Sequence, residues 1–187
     1  MLVLLGTGIV MFDALLTPAR AITLCALTGG LLGCASDYKP PQQPSFYNSM
    51  AAPDVAVDAK AAASMISGYR KNNGLGTLSL DPKLMQMAEA HAKAMAARNQ
   101  LEHSVGGQFS DRIKRSGFDA KVAVENIGAG YHTLAEAFSG WRDSPSHRAN
   151  MLHRGVTKMG IAAAYAPGTK YKVFWALILA APDDRRG

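Results

Sequence analysis

The chain has 187 residues, with 20 Lys and Arg against 14 Asp and Glu, 48% apolar residues and 18% charged ones, giving a formal charge of +6. That balance suits one globular domain plus a tail and excludes a disordered polyelectrolyte. Two Cys exclude a disulfide-rich scaffold, and aromatics at 7% leave the core to Ala, Leu, Met, Ile and Val.

The N-terminal region is nearly free of charge, with Asp13 and Arg20 its only ionisable carboxylate and base. After Arg20 comes a short apolar run closing on Leu31-Leu32-Gly33-Cys34, a targeting pattern too short for a comfortable membrane span. Leu31 to Cys34 resembles the lipobox of bacterial lipoproteins. The resemblance implies that residues 1–33 are a signal peptide and that Cys34 is lipidated, anchoring the mature chain to a membrane. The alternative is an ordinary cleavage site in an unlipidated secreted protein. Because the stretch before Arg20 lacks the basic residues of a signal start, Met11 competes with Met1 as the initiator. Cleavage before Cys34 removes one Arg and one Asp, so the exported part keeps the +6 charge. It also keeps no Cys beyond Cys34, which excludes disulfides, thiol catalysis and Cys-based zinc sites in the folded domain.

Residues 34–57 contain Pro40, Pro41, Pro44 and Pro53 among Gln, Ser, Asn and Ala, and read as an extended tether to a domain over 58–181. Ala62, Met65, Ile66 and Tyr69 recur at three and four, predicting a helix over 59–72 that stops at Asn73-Gly74. Asp81 then caps, and Pro82 opens, a longer helix to about Asn99. Its apolar face includes His91, read as a core histidine with its ring satisfied. A shorter helix covers 110–116 and ends at Gly117. Residues 121–127 are rich in β-branched residues and predict a strand, followed by a turn at Gly128-Ala129-Gly130. Thr133 and Glu136 have capping-box spacing ahead of a helix through Trp141, which takes Glu136 out of consideration as a site residue. Ser144-Pro145 starts another short helix to about Leu152. Two strands, 159–165 and 171–179, form an antiparallel hairpin around Pro167-Gly168, and residues 182–187 are a polar tail. The sum is an α+β domain.

Several segments in this order resemble a known family. They are His103-Ser104 after the long helix, then Glu125-Asn126-Ile127-Gly128, then Trp141-Arg-Asp-Ser144-Pro-Ser-His147-Arg-Ala-Asn150-Met-Leu152, and finally Met159-Gly160-Ile161. Together they resemble the bacterial branch of the CAP superfamily, also called SCP/PR-1-like, over about 58–181. The resemblance implies an α-β-α sandwich and a central cleft lined by two His and two Glu. It places His103, Glu125 and His147 at three of those positions, with Ser144 where the second Glu is expected.

Two imidazoles and a carboxylate that converge would suit a divalent metal such as zinc, with open positions for water. A place for His147 near the start of a helix capped by Ser144 favours its neutral, ligating form. Each residue also has a plainer reading: His103 as a loop cap, Glu125 paired with an Arg, Asn126 as a turn residue, His147 as a solvated helix start. Three functions follow as expectations. The first is a noncatalytic envelope module whose cleft binds a lipid-like molecule or an extracellular partner. The second is a metal-assisted hydrolase with Glu125 as base, against which stands the lack of the second Glu. The third is a structural envelope lipoprotein. Nucleic-acid binding is disfavoured, because the chain is exported and its Lys and Arg are scattered.

Overall fold

The computed structural model describes residues 42–183. The expected signal peptide, Cys34, the start of the tether and residues 184–187 lie outside the described residues. Five helices, α1 Ala59–Asn72, α2 Pro82–Arg98, α3 Phe109–Ser116, α4 Leu134–Asp143 and α5 Pro145–Met151, surround four strands. The strands are β1 Ser79–Leu80, β2 Ala120–Ala129, β3 Lys158–Ala166 and β4 Lys172–Pro182.

The sheet order is β1-β3-β4-β2, with β4 antiparallel to both β3 and β2, and β1 a short parallel edge on β3. Every residue from Val173 to Ala181 is buried, so β4 is covered on both faces, which is why it reads as an unbroken apolar run. Strand alternation sorts its side chains into two cores. Val173, Trp175, Leu177 and Leu179 meet Ile66 of α1, Trp141 of α4 and Met151 of α5. Phe174, Ala176, Ile178 and Ala180 meet Leu84, Ala88 and Met95 of α2 and Ile113 of α3. The result is the expected α-β-α sandwich. Trp141 and Trp175 fill the first core edge to face, their ring centres 6.4 Å apart.

Local chemistry fixes the helix ends. The Asp58 carboxylate accepts from the Ala61 N–H, Asp81 from those of Lys83 and Leu84, and Thr133 and Glu136 form the predicted capping box. Gly160 lets α2 cross close over β3, since a Cβ there would collide with the Leu84 backbone on α2.

Three details depart from expectation. The strand β2 continues through Gly128 and Ala129, paired with Trp175 and Phe174, so the turn begins only at Gly130. The two-residue β1 was not foreseen. The described part of the tether is also docked: Met50 is 4% exposed, its N–H donates to His132 O at 2.7 Å, and Phe46 packs on the first core. The prolines leave only one 3-10 turn there, Ser45–Tyr47, but two apolar side chains still find a buried face, so packing begins before Asp58.

Candidate functional site

From Val122 onward, odd residues of β2 face α2 and α3, and even ones face the layer of α5. That alternation turns Glu125 and its neighbour Asn126 into opposite layers of the sandwich. The Glu125 side chain is 2% exposed. Its two oxygens accept from Arg112 of α3, Nη1 to Oε1 at 2.8 Å and Nη2 to Oε2 at 2.9 Å. This is the forked pairing that a guanidinium makes best. Arg112 also donates to His103 O at 2.8 Å and to Gly107 O at 3.1 Å, tying the loop after α2 to the same point.

His103 places Nδ1 2.8 Å from Glu125 Oε2. Burial alone would push the Glu125 carboxyl up, but hydrogen bonds from His103 and Arg112 outweigh it and hold the group below the usual carboxylate range. Glu125 is therefore ionised, and His103 presents Nδ1–H to it. The other ring nitrogen, Nε2, is not engaged by Glu125 and sits on a side chain 55% exposed. A carboxylate fixing the tautomer of a histidine in this way is the arrangement seen behind ligating imidazoles.

His147 comes from α5 on the other layer. Asn126, 1% exposed, donates from Nδ2 to His147 O at 2.9 Å. Asn150 donates to Glu125 O at 3.0 Å and to Asn126 Oδ1 at 2.9 Å. These amides lace α5 to the edge strand. Burial lowers the His147 pKa, and the nearby His103 ring lowers it further, both favouring the neutral form of His147. The expected cause was the start of a helix capped by Ser144. The Ser144 side chain makes no capping bond, and its Oγ lies 3.4 Å from Ser146 Oγ.

His91 of α2 completes the cluster, and the sequence reading needs correcting there. The residue is buried, at 1% exposed, but neither ring nitrogen makes a hydrogen bond of full geometry; the polar groups it meets are the Val105 backbone and the Glu125 carboxylate. Its Nε2 stands 3.6 Å from Glu125 Oε2, and burial, only partly opposed by that carboxylate, lowers its pKa.

The expected donor set of His103, His147 and Glu125 is not formed. Among the described residues no group of three His, Cys, Asp or Glu is placed to hold a metal ion. The reason is electrostatic: Glu125 spends both oxygens on Arg112 and His103, which makes it an orienting group behind His103. A divalent ion such as zinc would find two imidazoles, His103 and His147, and no uncommitted carboxylate. Ser144 hydrogen-bonds none of these residues and is half-buried at the start of α5. Arg112, His91, Asn126 and Asn150 build the site without having been assigned to it. The signal for Arg112 was present, since Phe109, Arg112, Ile113 and Ser116 fall on one stripe of α3.

A family model described as the cysteine-rich secretory protein family, CAP, matches residues 63–179. An uncharacterized protein of Bacillus subtilis, YkwD, is 31% identical over 110 residues, 57% of this chain and 42% of that protein. An uncharacterized membrane protein of the same organism, YlbC, is 30% identical over 104 residues, 54% of this chain and 30% of its own length. The chain thus spans less than half the length of these curated relatives. Among solved structures, an extracellular protein of Bacillus anthracis containing an SCP domain superposes with a TM-score of 0.57 at 26% identity, covering 65% of this chain and 39% of that one. An outer surface protein of Borrelia burgdorferi gives 0.59 at 22% identity, covering 67% and 93%, a likeness of fold.

Proposed function

Because the chain belongs to the cysteine-rich secretory protein (CAP) family, we propose that it is a cleft-bearing module of the bacterial cell envelope. Lipid on Cys34 holds it to a membrane, and His103 and His147 recognise a lipid-like molecule or an envelope partner. The observation that carries the cleft is the relay from Arg112 through Glu125 to His103. Orienting one exposed imidazole by a buried ion pair is an expense in desolvation that a plain loop histidine does not need. The names of the relatives, a membrane protein, an extracellular protein and an outer surface protein, support an envelope location.

The geometry does not favour a metal-assisted hydrolase with Glu125 as base. A carboxylate held below its usual range and engaged at both oxygens is a poor acceptor for a proton from water. The reading is tested by native mass spectrometry of the chain purified from its own cells. Wild type should retain a molecule or ion that the His103→Ala/His147→Ala variant loses. Equal retention by both, or none by either, overturns the cleft. Anchoring is tested by fractionation: Cys34→Ser should move the protein out of the membrane pool, and an unchanged pool removes the lipid.

A further inference from the structure

The two edges of the sheet are finished differently. Side chains close the β2 edge over Glu125 and Ile127, whose carbonyls accept from Asn150 Nδ2 and Trp141 Nε1. The β3 edge is covered by β1 at Lys158 and Met159 only, because Asp81 and Pro82 start α2 straight after Leu80. Asp81 N–H donates to Met159 O at 2.9 Å, so the odd residues of β3 turn their N–H and C=O away from β4. Further along that row, Ile161 N–H donates to the Met85 sulfur at 3.3 Å, a weak acceptor. The N–H and C=O of Ala163 and Tyr165 have no hydrogen-bond partner on that side among the described residues.

A groove of about 720 Å³ runs along this open row. Ile161 to Tyr165 form its floor, α2 stands on one side through Met85 and Glu89, and residues 52–57 stand on the other. Five residues at about 3.4 Å each give a floor roughly 17 Å long, enough for one ordinary strand. The floor is Ile-Ala-Ala-Ala-Tyr, without the charge, proline or bulge that guards most edges. Recessed between two walls, it cannot reach the equally recessed β3 of a second copy, whereas a single extended chain fits. Of the three charged residues lining the groove, Glu89 and Lys93 pair with each other. Asp54 has no ionic partner among the described residues and leaves the groove one uncompensated negative charge.

We propose that the β3 edge accepts an extended segment of another protein as an added strand, apolar where it faces the groove and carrying a Lys or Arg toward Asp54. The backbone of Ala163 and Tyr165 supplies the ladder. None of His103, Glu125 or His147 lines this groove, which lies at the opposite edge of the sheet from β2, so its failure would leave the cleft reading intact.

The test is NMR of the isotope-labelled full chain titrated with the peptide acetyl-Lys-Val-Ala-Val-Ala-Val-amide. Saturation should slow hydrogen exchange at the Ala163 and Tyr165 N–H about tenfold or more, the direct mark of a new ladder. Two isomers of the peptide, N-methylated at one or the other set of alternate residues, separate backbone pairing from plain apolar contact. One should bind about tenfold or more weakly, and the other nearly as well as the parent. Exchanging the peptide's Lys for Gln should weaken binding about two- to fivefold, and Asp54→Asn should remove that difference. Ala163→Pro should fold and lose the peptide, since the N–H it removes faces away from β4. Should it not fold, the methylated pair on the wild type still decides. No saturable protection, equal binding of both methylated isomers, or a Gln peptide as tight as the Lys peptide overturns the proposal. So does protection that grows with protein concentration without peptide, which would give the edge to a second copy.

Discussion

The two layers of the sandwich each bury an arginine, and they use it in opposite ways. Arg70 on α1 is 1% exposed and meets only backbone carbonyls: Gly76 from Nε at 2.9 Å, Met151 and His153 from Nη1 at 2.8 and 3.0 Å, and Val156 from Nη2 at 3.1 Å. No carboxylate engages it among the described residues, and burial lowers its pKa. Arg112 on α3 is 7% exposed and gives two of its four bonds to an ionised Glu125. The first is a polar staple, holding the chain after α5 against α1 in a domain without cysteine. The second is half of an ion pair, and what it organises is a side chain, His103. A guanidinium with five fixed donors serves either purpose, and the acceptors decide which.

The difference predicts how each arginine fails. Arg112→Met leaves Glu125 buried and uncompensated, and should cost about 3–5 kcal/mol of stability in urea unfolding at neutral pH. Adding Glu125→Leu should restore more than half of that loss, because an apolar pair of similar volume fits the core shared by Ile113 and Ile127. Arg70→Met should cost about 3 kcal/mol, since several carbonyls lose their donor together. No second substitution should rescue it, because its acceptors belong to the backbone. Simple additivity in the Arg112/Glu125 cycle would break the distinction between staple and ion pair.

How much of this was legible in the sequence follows from how local each cause is. The helices α1, α2 and α4 were readable from apolar spacing and from Asp81, Thr133 and Glu136, whose capping bonds reach no further than four residues. The antiparallel hairpin of β3 and β4 was equally plain. In contrast, β1 is two residues whose pairing to Lys158 and Met159 is set by tertiary contact, with no periodicity of its own to read. Gly128 and Ala129 look like a turn until β4 supplies the ladder. For the site, His103, Glu125 and His147 were found by resemblance, but what Glu125 does depends on Arg112, a residue recognisable only as a charge on an apolar stripe. Burial of His91 was foreseen, whereas the missing partner for its ring is a fact of three dimensions. Asn126, placed in the predicted strand with a turn as its plainer alternative, is a buried bridge to α5.

The same contrast between layers sets a pH dependence smaller than the substitutions above. Burial of His91 makes the native state refuse a proton that the unfolded chain accepts below the ordinary histidine value of 6.5, and His147 acts in the same direction. Their contribution is complete above that value and is lost as pH falls through and below it. Glu125, although burial alone would raise it, is held below its ordinary value of 4.5 by His103 and Arg112, so its contribution disappears only at lower pH. Thermal melts should therefore show Tm level above about pH 7, then a first decline below about 6.5 and a second below about 4.5. His91→Phe should shrink the first decline to the part that His147 supplies and leave the second, because the ion pair remains. A Tm that stays constant through the histidine range would mean that His91 takes up its proton in the folded state, shared with Glu125 across the 3.6 Å between them.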